Sequence, residues 1–236
     1  MRNRLLCTCP SRGRPELLKE MLASFNKTKS FGTSVAIYID DDDPRLGEYE
    51  LYGDKIWILP RKNVAQIHNW LIEQYPDYDY YMPINDDVTF QTSGWDKILM
   101  EEIEKKGGGW GISFGDDTTG NHKHGLPTFG MMSANIVKTL GYFYPLELKM
   151  LNGDIFLLDI GRAIGKLYYC PNVIIKHTPP GVASGAFVPG DHRSSSDFAR
   201  DDVRAYAQYI DNHLDRDIAR IFDAIIQEKY SVGVQA

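Results

Sequence analysis

Two adjacent carboxylates follow a short aromatic and apolar run in the stretch YYMPINDDVTF, residues 80–90. The run predicts a buried strand, and an unpaired carboxylate at the end of such a strand is costly. Mg²⁺ and Mn²⁺ prefer oxygen ligands, and Mg²⁺ takes only one or two protein carboxylates while water and substrate phosphates complete its shell. Asn85-Asp86-Asp87 is therefore a candidate metal site, and an Asx turn that merely ends the strand is the alternative.

Two further polar clusters follow other apolar stretches. Asp40 to Asp43 continue directly from residues 34–39, and acidic side chains there can accept hydrogen bonds from a base N–H or a ribose hydroxyl. Arg12 and Arg14 follow the first apolar stretch, and guanidinium groups can reach a diphosphate or stack on a base. For both clusters the alternative is an ordinary solvated charge on the surface.

Strand-like and helix-like stretches alternate through the first half of the chain. The predicted strands are 4–8, 34–39, 55–59, 79–84 and 110–114. Helices are predicted from Pro15, from an Asn63 cap and from a Ser93 cap. This alternation predicts an α/β fold, Rossmann-like, with a mostly parallel central sheet flanked by helices. Such sheets bind ligands beyond the carboxyl ends of their strands, so we expect the three polar clusters to meet at one edge.

The second half is less regular. It contains a polar loop at 115–128, in which His122 and His124 are expected to be solvated or to face an acceptor. A short helix at 133–140 and a helix starting between Asn152 and Asp154 precede a strand at 167–176 that ends in His177. A Gly-, Pro- and Ser-rich stretch then leads to an amphipathic helix at about 199–229, with a bend expected near residues 211–212.

Composition limits the classes of function. The chain has 236 residues and a formal net charge of −6, which argues against a protein built to bind nucleic acid, although a local basic groove is compatible with it. No apolar run of about 18 residues suggests a membrane span, and the first apolar run is too short for a signal peptide, so we expect a cytoplasmic protein. Cys7, Cys9 and Cys170 are too few for a disulfide framework, and Cys7 and Cys9 are expected to be buried apolar residues rather than metal ligands.

Taken in order, these segments resemble the nucleotide-sugar glycosyltransferases of the GT-A fold, in particular the broad family 2 type. The similarity covers about residues 4 to 178. The segments that carry it are PSRGRP after the first strand, IDDDDP after the second, NVAQIHNW, NDDV, FGMMSANIVKTLGYF, NGDIFLLDIGRAIG and VIIKH.

The resemblance implies a binding site for a nucleoside-diphosphate sugar. The residues that would contact the donor nucleotide are Pro10, Ser11, Arg12, Arg14, Asp40, Asp42, Asn63, Asn69, Asn85 and Asp86. Asn85 stands where the family's D-x-D motif has its first Asp, so it could bond a ribose hydroxyl but brings no charge. The implied organisation is a glycosyltransferase domain at 1–178, with a nucleotide-binding half at 1–115 and an acceptor half at 116–178. A flexible loop or lid at 179–198 and a C-terminal helical extension at 199–236 would follow.

The resemblance also implies a metal and a catalytic base. Asp87 would bind Mn²⁺ or Mg²⁺, and His177 would complete the metal shell. Asp154 matches the catalytic base of inverting members, although Gly153 stands where the family usually has an acid. The alternatives are that His177 is a structural histidine and that Asp154 is a carboxylate stabilised by a helix N-terminus, whose dipole would also hold its pKa down.

We therefore expect a metal-dependent glycosyltransferase that moves a sugar from a nucleoside-diphosphate sugar, preferably a UDP-sugar, to a hydroxyl of a carbohydrate or other acceptor. A nucleotidyltransferase is one alternative, but PSRGRP has one Gly and no Lys where a phosphate loop would be needed. A non-catalytic nucleotide- or sugar-binding domain is favoured by Asn85 and Gly153. A transferase acting on modified DNA bases is disfavoured by the net charge. The sequence leaves the sugar, the acceptor, the stereochemical outcome and the oligomeric state open.

Overall fold

The computed structural model describes residues 4–50, 55–178 and 195–233. Within these ranges the strands are β1 Leu5–Ser11, β2 Thr33–Asp40, β3 Ile56–Leu59, β4 Tyr80–Pro83, β5 Val88–Phe90, β6 Ile112–Asp116, β7 Met131–Ser133 and β8 Leu167–His177. They form one sheet in the order β3-β2-β1-β4-β7-β6-β8-β5. The predicted α/β architecture is confirmed.

Helices fill the connections between the strands. They are α1 Pro15–Thr28, α2 Val64–Gln74, α3 Trp95–Glu102, α4 Ala134–Leu140, α5 Gly153–Ala163, α6 Ser195–Tyr209 and α7 Asp215–Gly233. Short 3₁₀ turns occupy Leu46–Glu48 and Asn121–His124, and π-helical turns occupy Ile103–Gly107 and Ile210–Leu214. The second π-helical turn separates α6 from α7 and includes the two residues at which the sequence predicts a bend.

The helix caps test the sequence reading locally. The Asn63 side chain accepts a hydrogen bond from the backbone N–H of Gln66, and the Gln66 side chain returns one to Asn63, so α2 starts with the predicted cap and a full capping box. The cap predicted at Ser93 is wrong. Gly94 takes that place with φ +69°, a left-handed conformation that glycine adopts without strain.

The sheet is parallel where the sequence alternates strand and helix. β1 runs parallel to β2 and β4, β2 to β3, and β6 to β8. The short strand β7 is antiparallel to β4 and β6, and β5 is antiparallel to β8. These two strands have three residues each, too few to show a hydrophobic period, and neither was predicted. β7 is antiparallel to both of its neighbours, β4 and β6, so β6 runs in the same direction as β4. β8 is parallel to β6, and the carboxyl ends of β4, β6 and β8 therefore lie at the same edge of the sheet.

Side chains alternate between two cores. Leu6 faces the core formed with α2, α4 and α5, while Leu5 and Cys7 face the core formed with α1 and α3. Cys7 and Cys9 are free and buried, as predicted, and Cys170 is also free and buried. No helix among the described residues is long and apolar enough to cross a membrane.

The C-terminal helices belong to the first of these cores. Tyr206, Tyr209, Ile221 and Ile225 are buried in it together with residues of α2, α4 and α5. The segment therefore packs on the sheet domain and covers one of its faces. The predicted lid at 179–198 lies outside the described residues up to position 194, and α6 begins at Ser195.

Candidate active site

Arg14 holds the carboxylates that follow β4. Its Nη2 lies 2.6 Å from Oδ1 of Asp86, and its Nε donates to Oδ2 of the same carboxylate at 3.1 Å. Ser11 donates a further hydrogen bond to that Oδ2 at 2.6 Å. Burial raises the pKa of Asp86 to about 6, even though Arg14 and Ser11 favour its charged form. Two of the predicted clusters therefore meet in one buried network, as their positions at strand ends require.

Asp87 faces the same arginine and the end of β8. Arg14 Nη1 lies 3.5 Å from its Oδ2, and Nε2 of His177 lies 3.3 Å from its Oδ1. That Oδ1 is buried and has no hydrogen-bond partner among the described residues. The pairing of Val88 with His177 in the antiparallel β5–β8 ladder brings the histidine to this position.

These residues can be tested as a metal site. Asp87 supplies a carboxylate oxygen without a hydrogen bond, and His177 supplies an imidazole nitrogen beside it, so the pair fits a divalent ion. Asp86 is committed to Arg14 and Ser11 instead. Within the described ranges no group of three or more His, Cys, Asp or Glu side chains is arranged to hold a metal. An ion held here would therefore take most of its ligands from water and from substrate phosphate, as Mg²⁺ commonly does.

A second ionic group lies at the end of β2. Arg12 Nη1 donates to Oδ2 of Asp40 at 3.1 Å and also bonds the exposed carboxylate of Asp42. Arg61 approaches the same Asp40 oxygen at 3.9 Å. Asp40 is buried, and its strand lies beside β1 in the sheet, where Pro10 is paired with Tyr38. The residues predicted for the base and ribose thus form one patch next to the Arg14 group.

Asp43, which belongs to the predicted acidic cluster, and Tyr49, which the sequence analysis did not single out, fix the loop after β1. Asp43 accepts hydrogen bonds from the backbone N–H of Gly13 at 2.7 Å and from the Tyr49 hydroxyl at 3.0 Å. The same hydroxyl accepts from the backbone N–H of Arg14 at 3.2 Å and lies 3.2 Å from the Ser11 hydroxyl. Gly13 has φ +68°, which suits glycine in this tight turn. These hydrogen bonds fix the backbone of the loop that carries Arg12 and Arg14.

Asp154 lines a cavity of about 160 Å³ next to the edge of the sheet where the carboxyl ends of the strands lie. Asn85 is on its wall, so the cavity adjoins the Asp86–Asp87 group directly. The other residues that line it are Val64, Ala65, His68, Pro83, Thr128, Phe129, Tyr144, Leu148, Met150, Leu151, Asn152 and Gly153. His68 is fully buried and bonds the Thr8 hydroxyl at 2.8 Å, and burial lowers its pKa to about 3, so the wall there is neutral.

The surroundings of Asp154 reverse one expectation. The helix dipole at the start of α5 was expected to hold its pKa down, but burial raises it, and the nearby negative charge of Asp117 adds to the increase. A backbone hydrogen bond from Ile155 at 2.9 Å opposes this only in part. Burial is the largest influence on this pKa, and the higher pKa makes Asp154 a stronger base.

The position directly before Asp154, occupied by Gly153, has no room for an acidic side chain. A Cβ at this position would meet ring atoms of Tyr144 at 2.6 and 2.9 Å, closer than carbon atoms approach in proteins. The tyrosine ring fills the space that a side chain would need. In this chain an aromatic wall therefore replaces the second carboxylate.

Asp117 is another acidic residue at this edge of the sheet, and the sequence analysis did not single it out. Burial alone would raise its pKa, but hydrogen bonds from Thr128, Thr119 and Asn121 lower it, so it is ionised. Its backbone carbonyl accepts from the N–H of His177 at 3.0 Å. The signal was present, because Asp117 comes directly after β6, much as Asp86 and Asp87 come shortly after β4.

The loop that leads to Asp154 is held by the C-terminal helices. Asp202 on α6 is fully buried, and its carboxylate accepts three hydrogen bonds at 2.6 to 3.0 Å. The donors are the backbone N–H groups of Lys149, Met150 and Leu151. The Lys149 ammonium also pairs with Asp201 at 3.0 Å. One buried carboxylate thus shapes the floor of the cavity.

Two predicted donor residues lie apart from the charged groups. Asn63 caps α2 and lines a neighbouring cavity of about 300 Å³ with Arg61 and Lys149. Asn69 accepts from the backbone N–H groups of Phe143 and Tyr144 and donates to the Tyr144 carbonyl. In this structure Asn69 therefore positions the loop after α4, and its contact with a nucleotide stays a prediction. The side chains of His122 and His124 lie outside the described part of the chain.

No protein-family model matches the sequence, and no curated protein matches it. Solved structures do match. The fold superposes on residues 1–349 of S. aureus TarS with a TM-score of 0.61 and 14% identity, covering 94% of this chain and 71% of that one. The same protein in complex with UDP gives 0.60 and 13%, with 93% and 70% covered. The mannosyltransferase PcManGT from Pyrobaculum calidifontis, in complex with GDP-Man and Mn²⁺, gives 0.60 and 11%, with 98% and 76% covered.

The chain therefore has the GT-A fold that the sequence segments suggested. The superposition extends over nearly all of its residues, including the C-terminal helices. At identities of 11 to 14%, the superposition establishes the architecture alone, and the activity has to be argued from the site itself.

Proposed function

We propose that this protein is a glycosyltransferase that moves a sugar from a nucleoside-diphosphate sugar to an acceptor hydroxyl with the help of a divalent metal ion. The observation that carries the proposal is the position of Asn85. This residue joins the buried Arg14–Asp86–Asp87–His177 group to the cavity that contains Asp154. An anion-binding group and a candidate base are thereby brought to one place.

The donor diphosphate is proposed to bind at Arg14 and Asp87. Arg14 is half-buried and offers guanidinium N–H groups, which suit a diphosphate oxygen. Asp87 and His177 would hold Mn²⁺ or Mg²⁺ against the phosphates, where the ion neutralises the charge of the leaving group. In support, PcManGT is described in complex with Mn²⁺ and GDP-Man.

The nucleoside is proposed to lie along the loops after β1 and β2. Asp40 is buried and would accept a hydrogen bond from a base N–H or a ribose hydroxyl. Arg12 and Asp42 flank it, and Pro10 and Ser11 belong to the same edge. We propose UDP as the nucleotide, with the UDP complex of TarS as support and GDP as the outcome to compare.

The acceptor is proposed to enter the cavity lined by Tyr144 and Asp154. The Asp154 carboxylate would take the proton of the acceptor hydroxyl as its oxygen bonds to the sugar's anomeric carbon. The bond from that carbon to the diphosphate oxygen breaks, and the electron pair leaves with the nucleoside diphosphate. The raised pKa of Asp154 favours this role, because a base works best when its pKa approaches the working pH.

A non-catalytic nucleotide-binding domain is the second candidate. The observation that favours it is the Tyr144 ring against Gly153, which excludes an acidic side chain at the position directly before Asp154. This candidate makes the same prediction for nucleotide binding and the opposite one for sugar transfer.

The experiment is a thermal-shift screen of UDP, GDP and their sugars, with Mn²⁺ or with EDTA, followed by a donor-hydrolysis assay. A nucleotide at about 100 times its Kd should stabilise the fold by roughly 2.7 kcal/mol. Asp87→Asn should abolish the Mn²⁺-dependent part of this effect, whereas Asp211→Asn, an exposed carboxylate in the π-helical turn, should leave it unchanged.

The outcomes separate the candidates. Binding with turnover supports the transferase, and binding without turnover of any sugar supports the non-catalytic domain. If no nucleotide stabilises the protein in either condition, the proposed donor site is wrong. If Asp87→Asn keeps the full Mn²⁺ effect, the metal assignment is wrong.

A further inference from the structure

Helix α7 carries an apolar stripe on its outer side. Phe222, Ile226 and Tyr230 are exposed by 41, 49 and 74%, and their spacing of four residues aligns them along one face of the helix. The neighbouring face is already used, because Ile221 and Ile225 are buried in the core. The stripe is therefore additional apolar surface that the described part of a single copy does not cover.

The residues around Ile226 are arranged symmetrically. Phe222 and Tyr230 lie four positions before and after it, and Asp223 and Lys229 lie three positions before and after it. Two antiparallel copies of α7 that cross at Ile226 would therefore set Phe222 against Tyr230 of the second copy. They would also set Asp223 against Lys229 of the second copy. Both charged side chains are exposed, and neither forms an ion pair within the described ranges.

We propose that this α7 stripe is the interface of a homodimer in which two copies of the chain pair antiparallel about Ile226. A two-fold interface uses the same patch on both copies, so each contact between two different residues occurs twice, once in each direction. The pattern meets this condition, because both the aromatic pair and the charged pair form twice. The inference concerns the surface of α7 alone and does not depend on the proposed activity.

A lipid surface would require a different composition. Helices that lie in a membrane interface are rich in Lys and Arg on their polar face. On α7 the charged residues are evenly mixed, with a slight acidic excess: Asp215, Arg216, Asp217, Arg220, Asp223, Glu228 and Lys229. A second copy of the same helix satisfies this mixture, and an anionic membrane does not.

The size of the stripe sets the expected strength. Stable interfaces bury about 1,200–2,000 Å² in total, which three side chains on one helix cannot supply alone. We therefore expect a weak dimer that forms at high micromolar concentration. The equilibrium should be reversible and visible as a rise in mean mass with concentration.

Sedimentation of the full chain at increasing concentration tests the proposal. Ile226→Glu, which sets two like charges against each other on the two-fold axis, should abolish dimerisation. Asp223→Lys should weaken it by placing Lys against Lys twice. The charge swap Asp223→Lys with Lys229→Asp should restore it, because the pairs re-form with reversed sign. Thermal unfolding of each variant checks that the monomer fold is unchanged.

Cross-linking provides a second measurement. All three native cysteines are buried, so Ile226→Cys would introduce an exposed thiol next to its own copy on the axis. Mild oxidation should yield a covalent dimer. Lys97→Cys, an exposed position on α3, is the matched control and should yield much less.

The proposal is overturned if the chain stays monomeric at every concentration, or if a dimer forms that Ile226→Glu does not disturb. A charge swap that fails to restore a dimer weakened by Asp223→Lys also overturns the antiparallel register. Vesicle binding by a monomer that depends on Ile226 would assign the stripe to a membrane instead.

Discussion

The two sides of the candidate site are built differently. On the donor side, nearly every charged group has an opposite charge within 4 Å, as Arg14 does in Asp86 and Arg12 does in Asp40. On the acceptor side, Asp154 shares a small cavity with aromatic and aliphatic walls and with a neutral, buried His68. The proposed donor side offers paired charges that a diphosphate and its cation could rearrange. The proposed acceptor side offers one carboxylate whose pKa is raised by burial.

This difference leads to a first and largest prediction, for chemistry on the acceptor side. Asp154→Asn keeps the shape and removes the basicity, so sugar transfer should fall about 10²–10⁴-fold. Donor affinity should not change, because Asp154 faces the cavity and the donor residues lie beyond Asn85. Steady-state rates and the donor Kd, measured on the same preparation, check both. Asp159→Asn on the same helix is the control and should transfer sugar at close to the parental rate.

Two results would break this prediction. An Asp154→Asn variant with parental rates would make the residue a helix-start carboxylate only. Loss of donor binding together with rate would move Asp154 to the donor side. In the parent, the rate should fall on acidification through a pKa above the usual value for Asp, because burial raises the pKa of Asp154.

The neutrality of the cavity wall can be tested through stability at low pH. Burial holds the pKa of His68 at about 3, below the ordinary 6.5, so the unfolded chain binds a proton that the folded chain does not. Stability from this residue is complete above pH 6.5 and is lost as pH falls toward 3, and the loss reaches about 3 kcal/mol at pH 4.

The measurement is denaturant unfolding of the parent and of His68→Gln between pH 7 and 4. The variant should lose less stability over this range than the parent. His213→Gln, at a partly exposed position, should follow the parent. Equal pH dependence in all three proteins would show that His68 is protonated when folded.

On the donor side we expect a smaller effect from Asp40→Ala. Removing one charge-assisted hydrogen bond should weaken nucleotide binding by roughly 1.5–3 kcal/mol. Calorimetric titration with UDP measures it, and Asp41→Ala at the exposed neighbouring position is the control. Unchanged affinity in the Asp40 variant would remove this residue from the donor site.

The smallest effect is expected at the aromatic wall. Gly153→Ala would bring a methyl group within 3 Å of the Tyr144 ring, and such overpacking typically costs about 1–3 kcal/mol. Gly47→Ala has open space around the new methyl group and should be close to neutral. Thermal unfolding of the two variants compares them. Equal stability would mean that Tyr144 moves aside and that the wall is not fixed.

The sequence predicted the meeting of charged residues at the strand ends better than the shape of the cavity around Asp154, for a physical reason. Parallel strands bring their carboxyl ends to one edge, so Arg14, Asp40 and Asp86 could be expected to meet from the strand pattern alone. The Asn63 cap could be expected because capping is a local property. Contacts of Asp202 and Tyr144 join residues about 50 and 10 positions apart through loops, and no periodic pattern marks them.

The pKa of Asp154 was missed for a related reason. The helix dipole can be inferred from sequence, because it depends only on the start of α5. Desolvation depends on the cavity walls, and several of these, such as Val64, His68 and Pro83, come from distant parts of the chain. The effect of the helix start on the pKa was predicted from the sequence, and the effect of burial was not. Asp117 is different, since its position after β6 was a readable signal.

The Asp202 tether has a consequence for the order in which the site is completed during synthesis. Every residue of the proposed donor site, including His177, precedes α6 in the chain, so a ribosome has synthesised all of them before Asp202 emerges. The loop at 149–151 must then wait for Asp202 to supply the acceptor for its three N–H groups. The cavity that contains Asp154 therefore takes its final shape only after α6 has been synthesised.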